Sequence, residues 1–151
     1  MKISKVILAS VILTILGAAY AMLTCGWLFN WVYKLEPTCV WVSSEAMKGN
    51  FFIWVNLGQL VLYFFFVLIL SRFYCCVPGP CSCCKGAVYG FFVWLIGMLP
   101  GMFSTYMFMT VNKIVVLYWT VSGLIWLVLA GSIASWICFR KEDSNSGCHC
   151  S

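Results

Sequence analysis

Four long apolar runs divide the chain, and short polar segments separate them. They cover residues 6–33, 51–74, 86–111 and 114–139. A helix needs about 20 residues, rising about 1.5 Å each, to cross the hydrocarbon core of a bilayer, and all four runs are long enough. The pattern predicts an all-α polytopic membrane protein with four transmembrane helices in two hairpins. Residues 1–139 would form the four-helix transmembrane bundle, and residues 140–151 a polar cytosolic tail that carries Cys148, His149 and Cys150.

The first run has a competing reading as a secretory signal, because Lys2 and Lys5 precede it and Ala19, Tyr20 and Ala21 fit a small-x-small cleavage site. The apolar stretch continues past that site to Tyr33, well beyond the roughly 7 to 15 residues of a signal core. It therefore reads as the first span.

Basic residues in the short connections set the expected orientation, since they favour the cytosolic side. Lys2, Lys5, Arg72, Lys85, Arg140 and Lys141 fall on one side, and Lys34, Lys48 and Lys113 on the other. The richer side should be cytosolic, which places both termini inside (N-in/C-in). Trp27, Trp31, Trp54 and Trp119 then lie near the outer ends of the spans, and Tyr74, Tyr89 and Trp136 near the inner ends. Such belts suit rings that prefer the headgroup level.

Composition supports lipid as the main solvent. Hydrophobic residues make up 64% of the chain and charged residues 9%, with a mean hydropathy of +1.00. A soluble domain carries about 25% charged residues, and a small globule has too little interior to hide so much apolar surface. The net charge of +5 is spread thinly, without the basic stripe that nucleic-acid binding requires. The bilayer, and no nucleic acid, is the expected partner.

In lipid, helices associate through close contact at small residues and through interhelical hydrogen bonds. Gly86 with Gly90, Gly97 with Gly101, Ala130 with Ala134 and Gly131 with Ser135 are small pairs four residues apart on the third and fourth runs. They predict a compact association. Trp54 with Gly58 and Trp119 with Gly123 share a spacing, which suggests duplicated hairpins, although two apolar helices can share such residues by chance.

The middle of every run lacks Asp, Glu, Lys, Arg and His, so proton relays have no carrier. The single histidine, His149, lies in the tail, so no haem is expected between helices. No triad or metalloprotease motif is present, and the chain is not expected to be an enzyme. What remains is neutral polarity. Asn56 and Gln59 are three apart and share a helix face, with Asn30 at a similar depth. They read either as a small polar pocket or as interhelical hydrogen bonding, and the latter is favoured. Pro100, between Gly97 and Gly101, removes a backbone donor and clashes with the carbonyl of Ile96, which predicts a helix kink.

Ten cysteines are the most specific chemistry of the chain. Cys25 and Cys39 fall on the outer side, either as a disulfide or as two free thiols. On the inner side Cys75, Cys76, Cys81, Cys83, Cys84 and Cys138 join Cys148, His149 and Cys150. In a reducing cytosol, Cys75, Cys76, Cys81, Cys83, Cys84, Cys148, His149 and Cys150 are candidate ligands for a soft metal such as Cu(I), Hg(II) or Zn. Their adjacent spacing suits low-coordinate Cu(I) or Hg(II) better than a rigid zinc site. Cysteines at helix ends are also acceptors for S-palmitoylation.

The run from Gly26 to Phe29 (Gly-Trp-Leu-Phe) and the polar Asn56-Leu57-Gly58 resemble those of small four-span prokaryotic membrane proteins of unknown function. The resemblance implies a multi-pass protein of the cytoplasmic membrane of a prokaryote and no activity. The cysteine pairs beside membrane helices resemble those of small mercury and copper transport proteins in that respect alone. Together these observations predict a non-enzymatic accessory or interaction subunit of a membrane assembly, bound to other subunits or to a second copy of itself. The alternative is a soft-metal binding or transfer protein that uses the cytosolic cysteines.

Overall fold

The computed structural model describes residues 3–35 and 50–139 of the chain. Among the described residues there is helix and no strand. Helix α1 covers Ile3–Ala21 and continues through a wide π turn, Met22–Leu28, to a short 3₁₀ turn at Asn30–Lys34. Helix α2 covers Phe51–Phe73. Helix α3, Ser82–Val93, passes through a second π turn, Trp94–Met98, into α4, Leu99–Phe108. Helix α5 covers Lys113–Phe139. Four continuous helical stretches, Ile3–Leu28, Ile53–Cys76, Ser82–Phe108 and Lys113–Phe139, are long and apolar enough to cross a membrane.

These stretches sit within a few residues of the apolar runs, and the differences have local causes. The first helix stops at Leu28, five residues before Tyr33, where the chain tightens into the 3₁₀ turn. The third starts at Ser82 because the Sγ of Cys81 accepts the backbone N–H of Cys84 at 3.2 Å, a side-chain cap on an otherwise orphan donor. At the start of α5 the Oδ1 of Asn112 accepts the N–H of Ile114 at 3.0 Å. Just before Pro100 the helix widens into a π turn. The N–H of Leu99 bonds to the carbonyl of Trp94, five residues back, and Pro100 lies in the first turn of α4. A missing donor is tolerated there.

Helices α3 and α5 approach each other closely. A Cβ placed on Gly86 or on Gly131 would collide with the other's carbonyl, and one on Gly90 with the carbonyl of Leu127. The two backbones therefore touch directly, and Ala130, Ala134 and Ser135 are buried beside them. Ser135 donates its hydroxyl to the carbonyl of Ser82 at 2.6 Å, which pins the start of α3 to the last turns of α5.

The buried core lies at this end. It contains Val6, Ala9 and Leu13 of α1, Phe66, Val67 and Leu70 of α2, Tyr89 of α3 and Cys138 and Phe139 of α5. The Tyr89 hydroxyl donates to the carbonyl of Phe66 at 3.0 Å and ties α3 to α2. Tyr74 stacks on Phe139 with centroids 3.7 Å apart, and its hydroxyl bonds to that of Ser82 at 2.7 Å. Lys5 donates to the carbonyl of Cys138 at 3.0 Å, and the ammonium of Lys85 lies 4.8 Å over the Tyr74 ring. Both cations are thus spent on satisfying this one end.

The two proposed halves are not equivalent in their glycines. Gly123 is packed against the thioether of Met98, whereas Gly58 faces open space. The contrast predicts opposite signs for one chemical change. Gly86→Ala should lower stability by about 1–3 kcal/mol through overpacking, while Gly58→Ala should raise it by about 0.5–1 kcal/mol through helix propensity. Unfolding by SDS titration in mixed micelles would measure both.

Candidate functional site: an uncharged chamber between the helices

Toward the other end large rings line a chamber of about 230 Å³ between the helices, open on one side. Helix α1 and its π turn contribute Gly17, Tyr20, Thr24 and Cys25, and α2 contributes Gln59 and Tyr63. Met98 and Met102 enter from the third stretch, and Tyr118, Ser122, Gly123 and Trp126 from α5. Both π turns border the chamber, through Cys25 and Met98 respectively. Such turns insert an extra residue into the helix and recur at functional sites.

The walls are cross-braced. Trp126 donates its indole N–H to the Tyr63 hydroxyl at 2.7 Å. The Tyr20 hydroxyl bonds to the hydroxyl of Ser122 at 3.0 Å, and Cys25 Sγ lies 3.5 Å from the Tyr118 hydroxyl. Tyr20 stacks on Trp126 with centroids 5.1 Å apart. Gly17 is required by this arrangement, because a Cβ there would stand 2.7 Å from the Tyr63 hydroxyl and 3.1 Å from the Trp126 ring. Trp119, also in the chamber wall, donates to the Tyr33 hydroxyl at 3.0 Å. Tyr33 follows the first spanning helix, and burial pushes its phenol well above the ordinary range, so the group stays neutral.

One atom in the chamber wall is unsatisfied. Gln59 Oε1 is buried and has no hydrogen-bond partner. Buried polar groups without partners are rare in native proteins and call for a cause.

No protein-family model, curated protein or solved structure matches this chain.

The structure separates residues that the sequence groups together. Gln59 lines the chamber, whereas Asn56 lines a shallow groove between α1 and α2 with Thr14, Ile15 and Leu60. The side chain of Asn30 lies outside those described, and Pro100 lines a third space, a groove of about 590 Å³ between α4 and α5. That groove is larger than the chamber but is walled by Leu99, Phe103, Tyr106 and Leu117, and Lys113 is its one charged residue.

At the opposite end Cys81 and Cys84 are joined as a disulfide across a Cys-x-x-Cys step. The expectation of metal ligation instead of disulfides among these thiols is not what this pair shows. The two side chains meet because the cap at Cys81 places its Cα 5.2 Å from that of Cys84, one helical turn on. Cys83 between them keeps an exposed free thiol, and Cys75 and Cys76 are exposed on the preceding turn. Among the described residues no three His, Cys, Asp or Glu side chains come together as a metal site. Cys39, Cys148, His149 and Cys150 lie outside the described residues. Cys25 carries a free thiol.

Sequence reasoning missed Tyr20, Tyr63, Trp126 and Gly17 as chamber residues. The available signal was the four-residue step from Gln59 to Tyr63, which puts both on one face of α2. If Gln59 is held in place against its own hydrogen-bonding cost, Gln59→Leu should stabilise the empty protein. The expected gain is about 1–3 kcal/mol, the cost of an unsatisfied buried polar atom, measured by thermal or SDS unfolding.

Proposed function

We propose that this chain is a non-enzymatic multi-pass membrane protein that works by binding another transmembrane helix. The observation that carries the reading is a small-residue face left open on the third stretch. Gly97 and Gly101 have nothing within 4 Å of where a Cβ would stand, and Ser104, one turn further on the same face, is exposed. On that same stretch Gly86 and Gly90 are filled by the α5 backbone. Small-xxx-small faces let helix backbones approach closely in lipid. Around the open one stand Ile96, 75% exposed, and Phe108, 89% exposed. Another membrane subunit or a second copy of the chain is the proposed occupant.

The same proposal includes a four-helix bundle, an N-in/C-in orientation and the cytoplasmic membrane of a prokaryote. Support for the orientation comes from Lys5, Arg72 and Lys85, which fall at one end of the helices, where cytosolic basic residues are expected.

Two experiments test the reading. Gly97→Ile with Gly101→Ile should reduce the particle purified in mild detergent to the 17.0 kDa chain alone, while Gly58→Ile leaves its size unchanged. A variant retaining Cys83 as its single cysteine should resist a membrane-impermeant maleimide in intact cells and react after lysis. Labelling of intact cells would reverse the orientation.

A further inference from the structure

We propose that the chamber is a binding site for a small uncharged molecule built on a planar ring that bears a hydroxyl group, a phenol-type ligand taken from the bilayer. Helix α2 presents a pair of polar groups to the chamber. Gln59 Oε1 is buried without a donor. Tyr63, one turn along the same face, accepts the indole N–H of Trp126 and so has its own O–H left to give. With the Gln59 side chain turned toward the chamber it lines, a ligand hydroxyl satisfies both at once, donating to Gln59 and accepting from Tyr63. A carboxamide carries an acceptor and a donor, so a hydroxyl suits it in either rotamer.

The walls are aromatic and sulfur-bearing. Tyr20 and Trp126 are stacked at an interplanar angle of 25°, and Tyr63 meets Trp126 edge-on at 72°. The thioethers of Met98 and Met102 complete the surface. Flat rings and polarizable sulfur favour contact with another ring. No Asp, Glu, Lys or Arg lines the chamber, so an ionised ligand would have no counter-charge there.

Size and construction agree. A volume of about 230 Å³ is room for roughly seven waters at about 30 Å³ each, or for one molecule of one or two rings. Two regular helices widen into π turns at its border, and a glycine is kept where a methyl would reach the Tyr63 hydroxyl. An uncharged aromatic alcohol partitions into lipid and reaches such a site from within the membrane. This inference is independent of the Gly97 and Gly101 face.

Equilibrium dialysis of the full chain in lipid nanodiscs against 1-naphthol tests it, with empty nanodiscs correcting for partition. One saturable site per chain is expected. Naphthalene, the same ring without the hydroxyl, should bind about tenfold or more weakly than 1-naphthol, because the polar pair is left unpaired. Gln59→Leu should weaken 1-naphthol binding by about tenfold and Tyr63→Phe by about fivefold, while Asn56→Leu leaves it unchanged. Gln59→Leu should also melt no lower than the parent, so that its loss of binding is not a loss of folding. The comparison of naphthol with naphthalene on the parent chain stands even if a variant fails to fold. Uptake no greater than that of empty nanodiscs, as for a chamber that holds water alone, would overturn the proposal. So would equal binding of the two ring compounds, or unchanged affinity in a folded Gln59→Leu protein.

Discussion

The direct contact between the backbones of α3 and α5 is the constraint on which the remaining geometry depends. Gly86, Gly90 and Gly131 have no side chains to hold the two helices apart, and each opposes a carbonyl of the other helix. Lipid tails are as apolar as leucine, so this association draws on dispersion and polar contacts rather than on expulsion of water. Close approach makes those short-range terms large. It also brings the hydroxyl of Ser135 to the carbonyl of Ser82. From there Ser82, Tyr74, Phe139 and Lys85 form one continuous set of contacts across the ends of α2, α3 and α5.

The molecule is tight at one end and open at the other. Further along, the rings of Tyr20, Tyr63, Tyr118 and Trp126 line the space that remains between the helices. The resulting chamber is braced by an indole and several hydroxyls, each satisfied by another helix: Trp126 by Tyr63, Tyr20 by Ser122 and, nearby, Trp94 by the carbonyl of Thr120 at 2.9 Å. Gln59 stands out because its Oε1 is buried without a partner among the described residues. Two pairs of glycines on one continuous helical stretch likewise have two fates. Gly86 and Gly90 are consumed inside the chain, and Gly97 and Gly101 stay open beyond the π turn. A helix whose face shifts at that turn can serve an internal and an external contact in succession.

The thiol-bearing end illustrates how a local cap changes the chemistry available to a motif. As a string of residues, Cys81-Ser82-Cys83-Cys84 presents three thiols of equal standing. Once Cys81 caps α3, the helical turn brings Cys84 back beneath it and leaves Cys83 pointing to solvent, so the three are no longer equivalent.

Length and hydropathy alone determined the all-helical class, the four stretches able to cross a membrane and their ends to within a few residues. Each is a property of one segment in one solvent, and a run of apolar residues in lipid has few ways other than a helix to satisfy its backbone. The small-residue spacing of Gly86, Gly90 and Gly131 was legible for the same reason, since helical periodicity puts such residues on one face. Only the tertiary structure decided which small face is occupied, that Gln59 and not Asn56 enters the chamber, and that Tyr20 and Tyr63 meet Trp126 there. Those outcomes depend on helix rotation and on two π turns that shift it. Rotation is set by contacts between segments far apart in the chain, and no single segment encodes it.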